Sequence, residues 1–263
     1  MLGLLWRLDE AHRLTGDSAW DVVLRETVRA AIDVLPVALP PEPEEDLPWT
    51  ASRRPTRFSE TAVYNLFALA WRLGLADAAA AAADAVAAEP QVVAPERTLP
   101  AVLAKLHAEE GATDSAAFAR LWRHAAGSLL ARSADPPTPP GDWTIAANAG
   151  CECEHCGRLR DFCRDPAART ARFPLRKDLR AHLHQIIDHQ QLDIEHVTER
   201  RGRPFTLVCT KTRASHKRRL AEYAEDVSCM QGLIEAAPGG EQAADCAADL
   251  AALRAAVTAS ETA

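Results

Sequence analysis

The run Cys151-Glu152-Cys153-Glu154-His155-Cys156, followed by Cys163, limits what this chain can fold into more than any other stretch. Four of the seven cysteines fall within these thirteen residues. Five of the nine histidines (His155, His182, His184, His189 and His196) lie between Cys151 and Cys209. Thiols and imidazoles at this density, in a chain otherwise rich in alanine, are the donors that zinc takes. Such a segment is expected to organise itself around a metal rather than around a large apolar core.

Cys153-x-x-Cys156 has the spacing of a zinc knuckle, a turn whose backbone N–H groups point at two sulfurs. Gly157, next in sequence, suits the positive φ that such a turn often needs. A redox Cys-x-x-Cys belongs between a strand and a helix in a βαβ unit, and no such alternation is present here. Downstream, Lys177 to Gln190 has helical periodicity, with an apolar stripe of Leu179, Leu183, Ile186 and Ile187. Steps of about 100° per residue place His182 and His189 on one edge of that stripe and His184 well away, near Asp188. His182 is thus the expected third ligand. Asp193 to Thr198 and Pro204 to Thr210 alternate like strands, joined by Arg200-Arg201-Gly202-Arg203 as a hairpin turn. His196, on the inward strand face, is the fourth ligand by elimination, with Cys209, Cys151 and Cys163 as competitors. Cys2His2 and Cys3His are both ordinary ligand sets for a closed, structural Zn2+ site.

Catalytic zinc keeps an open position beside a general base. The His-Glu-x-x-His and His-x-Glu…Pro-Cys-x-x-Cys signatures of such sites are absent from this sequence. The chain therefore reads as non-catalytic. A zinc- or oxygenase-associated enzyme is the remotest alternative, resting on proton transfer by His184 beside Asp188.

Charge is divided unevenly. The net charge is −7, yet residues 151–219 hold 16 Lys/Arg against 9 Asp/Glu. A basic module inside an acidic chain suits an anionic partner for the module alone. Arg200, Arg201, Arg203, Lys211 and Arg213 are the candidate nucleic-acid or anion contacts. Only Phe205 and Tyr223 lie near enough to stack, so nucleic acid stays the alternative to a protein partner.

Residues 1–135 read as a helical scaffold. Leu4, Leu5 and Leu8 with His12 mark a first helix, and Val22, Val23, Val28, Ala31 and Ile32 a second, capped by Asp17 or Ser18. A Pro-rich, acidic stretch over 36–57 is a linker or extended loop. Four further helices follow, starting near Ser59, Leu75, Thr98 and Asp114, with no internal repeat at a fixed period. Their histidines and tryptophans have no ligand-like neighbours and are read as packing residues. Residues 136–142 form a Pro-rich linker, 143–213 the Cys/His module, and 214–263 C-terminal helices and a tail.

The odd, clustered cysteine count points to a reducing, cytoplasmic setting. No run approaches eighteen apolar residues, so no membrane span is expected. Met1 to Trp6 lacks the basic flank of a signal peptide.

Four segments in fixed order carry a resemblance: Pro136–Trp143, Cys151–Phe162, Arg180–Leu183 and His196–Lys211. Together they are similar to the Cys/His-rich C-terminal region of large, mostly fungal proteins whose N-terminal region is a 2-oxoglutarate/Fe(II) oxygenase. The resemblance covers about half the chain and implies an accessory region of a larger enzyme. The oxygenase itself has no counterpart here, because residues 1–135 read as helical rather than as a jelly-roll of strands.

The expected architecture is mainly α with a small α+β module. It consists of an irregular helical bundle or solenoid-like scaffold, a zinc-finger or treble-clef-like zinc module, and C-terminal helices.

Overall fold

The computed structural model describes Arg7 and residues 19–33, 58–88, 90, 93–147 and 151–261. The expected first helix, the capping residues Asp17 and Ser18, and the linker at 36–57 lie outside the described residues. Nine α-helices and one three-stranded sheet are seen among those described, and the chain divides into two units. One comprises Met1–Pro136 with Tyr223–Ala263; the other is Pro137–Glu222. The C-terminal stretch is thus split, most of it belonging with the helical unit.

The helical unit holds α1 (Ala19–Asp33), α2 (Glu60–Arg72), α3 (Ala76–Ala88), α4 (Thr98–Leu106) and α5 (Ala116–Arg132). Ser59 caps α2 by accepting from the Ala62 N–H (3.2 Å), and Ser115 caps α5 by accepting from Phe118 (3.2 Å). The α2 C-terminus closes at Gly74, whose φ of +66° lets Gly74 N reach Trp71 O and Leu75 N reach Ala70 O. That is a Schellman ending, and glycine suits its left-handed position. Alanines on α3 bury at positions 79, 82 and 83, so α3 can approach its neighbours closely. On α5, Phe118, Leu121, Trp122, Ala125 and Leu129 are buried at helical spacing. The Trp122 indole N–H donates to Leu233 O (2.8 Å), tying α5 to the C-terminal part of the chain without an orphaned donor.

The smaller unit contains α6 (Glu154–Arg164), β1 (Thr170–Pro174), α7 (Lys177–His189), β2 (Ile194–Glu199) and β3 (Thr206–Lys211). The sheet order is β1-β3-β2, antiparallel throughout. Register pairs His196 with Cys209 and Thr198 with Leu207. Ile194, His196 and Thr198 therefore share a sheet face with Leu207, Cys209 and Lys211. The eleven buried residues of this core include Leu159 and Phe162 from α6, Leu183 and Ile187 from α7, and Leu207 and Cys209 from β3. So small a core gives limited apolar stabilisation.

Trp143–Ile145 looks like a short strand entering the Cys/His module, yet it is not one; the Trp143 and Ile145 N–H groups bond Pro166 O and Cys163 O, so the segment trails along the end of α6 without joining a ladder. Phe173 lies in the outer strand β1, paired with β3.

α8 (Ala214–Glu235) begins in the smaller unit, where Asp193 Oδ1 accepts from Ser215 N (2.8 Å). α9 (Gln242–Glu261) follows the turn at Gly239 and Gly240. A Cβ at Gly240 would stand 2.8 Å from Asp114 Oδ1, so the turn passes too close to that carboxylate for a side chain.

Candidate metal centre

Cys151, Cys153, Cys156 and His182 form one group in which a ligand atom from each lies within 4.8 Å of the others. Three come from the start of α6 and one from α7. Cys153 is the N-cap of α6: its extended backbone (φ −64°, ψ 155°) turns the thiol back over the first turn, where it accepts from Cys156 N (3.5 Å). Cys156 sits one turn into the helix and is fully buried. His182 reaches them from the inward edge of α7. Its Nε2 is 3.2 Å from Cys156 Sγ and 3.7 Å from Cys153 Sγ.

These distances meet the geometry of a tetrahedral zinc. Bonds of about 2.3 Å to sulfur and about 2.0–2.1 Å to nitrogen set ligand atoms roughly 3.6 Å apart along an S–N edge. The two observed sulfur–nitrogen separations bracket that edge. The electrostatics agree. The Cys156 N–H bond, aided by the helix N-terminus, lowers the Cys153 thiol to about 6. Burial, followed by the neighbouring Cys153 and Cys151 sulfurs, pushes Cys156 the other way. Three thiolates this close would repel one another, and a divalent ion among them would relieve that conflict. With zinc, three thiolates and a neutral imidazole carry one net negative charge. Arg160, whose Nη1 donates to Cys151 O (3.2 Å), brings a guanidinium alongside.

The structure brings Cys153, Cys156 and His182 together, and Cys151 with them. It does not bring His196 there. His196 faces His184 across the α7–β2 contact, with ring centroids 4.4 Å apart, because β2 runs along the other side of α7. Cys151 takes the fourth place. The Cys-x-Cys-x-x-Cys spacing held that signal, but elimination by strand face alone favoured the histidine.

Cys163 and Cys209 are both fully buried and lie outside the group. Burial raises both thiols, Cys209 to about 12. They are core residues. The knuckle turn is also different from expectation: Cys153 and Cys156 span a helix start, and Gly157 lies within α6 rather than at positive φ.

Among the basic residues, Arg200, Arg201 and Arg203 are exposed on the β2–β3 turn. Lys211 is not available to any partner, being fully buried. Its Nζ donates to Cys163 O (3.1 Å) and Asp165 O (2.6 Å), a task in the core that strand alternation alone did not disclose. Arg213 is half-buried and stacks on Trp143 at 4.8 Å, as Arg169 also does.

The chain matches no protein-family model, no curated protein and no solved structure. No helix among the described residues is long and apolar enough to cross a membrane.

Proposed function

We propose that Cys151, Cys153, Cys156 and His182 hold one structural Zn2+, and that the small unit is a non-catalytic zinc module serving protein–protein interaction. The observation that carries this is the ligand set itself: four soft or borderline donors mutually within 4.8 Å, two sulfur–nitrogen separations of which fit the edge of a tetrahedral zinc. Four protein ligands leave no position for a substrate or a reactive water, so the site suits holding rather than chemistry. The small core gives zinc something to do. Apparent binding free energies of about 10–16 kcal/mol in finger peptides are large beside what eleven buried residues supply.

The resemblance to the C-terminal region of oxygenase-type proteins supports an accessory role beside a larger enzyme. The exposed Arg200, Arg201 and Arg203 support a second reading, in which the module binds nucleic acid through phosphates.

The test is hydrogen exchange on the full chain, with and without a zinc chelator, alongside metal analysis. Chelation should strip the smaller unit of protection in α6 and α7 while α2 to α5 keep theirs. Unchanged exchange in α6 and α7, with no thiolate-bound metal in the purified chain, would overturn the reading.

A further inference from the structure

His184 and His196 meet outside the cysteine centre. His184 projects from α7 and His196 from the inward face of β2, with ring planes inclined by 58°. Asp188 follows His184 by four residues on α7, so both side chains lie on one helix face. His196 Nε2 is 3.7 Å from Asp188 Oδ1. His184 Nε2 is 3.3 Å from Thr198 Oγ1.

We propose that His184, Asp188 and His196 form a second metal site, open to solvent, for a borderline divalent cation of the Zn2+ class. The His196–Asp188 separation is too long for a hydrogen bond. It is close to the edge of about 3.4 Å that nitrogen and oxygen ligands span on a tetrahedral ion. Thr198 supplies the supporting partner such sites use. With Nε2–H given to the Thr198 hydroxyl, the His184 Nδ1 lone pair is left to bind metal. Two residues one helical turn apart and a histidine from the facing strand thus place two imidazoles and a carboxylate beside one another. Asp188 is 68% exposed, so its carboxylate is free to rotate onto the ion. Side-chain movement is needed, because among the described residues only the cysteine group already has its ligand atoms mutually within 4.8 Å; Asp188 already stands near His196, so the adjustment involves the His184 ring.

The two sites differ in kind. The cysteine centre has four ligands, three of them thiolates. This one has two imidazoles and a carboxylate, and it leaves a position for water or a small anion. Such a site suits Zn2+, Co2+ or Ni2+, binds more weakly, and exchanges with solvent. It does not depend on the cysteine centre, and the experiment separates the two.

Reduced, metal-free full-length chain is titrated with Co2+ and, separately, with Zn2+. Two equivalents are expected. The first Co2+ brings an intense thiolate-to-metal charge-transfer band; the second adds only weak ligand-field absorption. Asp188→Asn and the double variant His184→Gln/His196→Gln should lose the second equivalent and keep the first, which also shows that they fold. Thr198→Val should weaken the second by about 10–100-fold. Saturation at a single thiolate-bound equivalent would overturn the proposal, as would a second equivalent that survives in the double variant.

Discussion

The Lys211 ammonium, at the end of β3, donates to the main-chain carbonyl of Cys163 in the last turn of α6 (3.1 Å). It also reaches Asp165 O and lies 4.7 Å from the centroid of the Phe162 ring. Helix C-terminal carbonyls lack intrahelical donors, and a cation there meets both the orphaned oxygens and the helix dipole. Burial lowers the amine's proton affinity, while Cys163, Asp165 and Asp142 oppose that. Lys211→Met keeps the aliphatic volume and removes the donor. It should cost about 1–3 kcal/mol, read as a shift in the denaturant midpoint. An unshifted midpoint would show that the contact contributes nothing net.

Zinc retention separates the ligands from their competitors. Cys151→Ser, Cys153→Ser, Cys156→Ser and His182→Ala should each lose the thiolate-bound metal. Cys163→Ala, Cys209→Ala and His196→Ala should keep it. Mass spectrometry of the native protein reads each outcome, and retention in Cys151→Ser would remove Cys151 from the set.

His124 supplies a pH dependence in the helical unit. Desolvation lowers its pKa below the ordinary 6.5, against an opposing pull from Glu96. Its buried Nε2 has no hydrogen-bond partner. The folded state thus binds fewer protons than the unfolded chain. The stability this group confers is complete above pH 6.5 and fades as pH falls through the lower folded value. His124→Gln should flatten the difference in unfolding midpoint between neutral and mildly acidic buffer. An equal difference in both proteins would assign the acid sensitivity elsewhere.

The turn into α9 depends on glycine. Gly240 has φ +50°, and a Cβ there would press on the Asp114 carboxylate. Gly240→Ala should cost roughly 1–3 kcal/mol. Adding Asp114→Ala should recover only the steric part, because the backbone strain remains. Full recovery in the double variant would mean that the left-handed conformation carries no penalty.

Arg200, Arg201 and Arg203 decide between the two partner classes. A protein-docking module should give no gel shift with nucleic acid at physiological salt. A salt-sensitive shift abolished by changing all three to Gln would establish the nucleic-acid reading in its place.

Much of the helical unit was legible because its rules are local. The helix starts expected near Ser59, Leu75, Thr98 and Asp114 follow from apolar periods of three to four residues, and they lie within two residues of the observed ones, although Ser115 rather than Asp114 caps α5. That Cys153, Cys156 and His182 would cluster could also be read ahead, from a two-residue gap and a helical step of about 100°. Position in the chain did not reveal which side of α7 β2 would occupy. Hence His196 was expected beside the thiols and is found beside His184. Lys211 misled for the same reason: a cation after a basic turn resembles surface, until β3 carries it beneath the end of α6.

Sequence alone therefore determined most of the helices, the β2–β3 hairpin and the donor character of the centre, because periodicity, turn chemistry and donor softness depend on neighbours along the chain. Tertiary structure alone decided that Cys151 completes the group, that Cys163, Cys209 and Lys211 are interior, and that two histidines from different elements meet. Those outcomes follow from strand register and from which face of α7 each strand meets, relations between residues far apart in the chain.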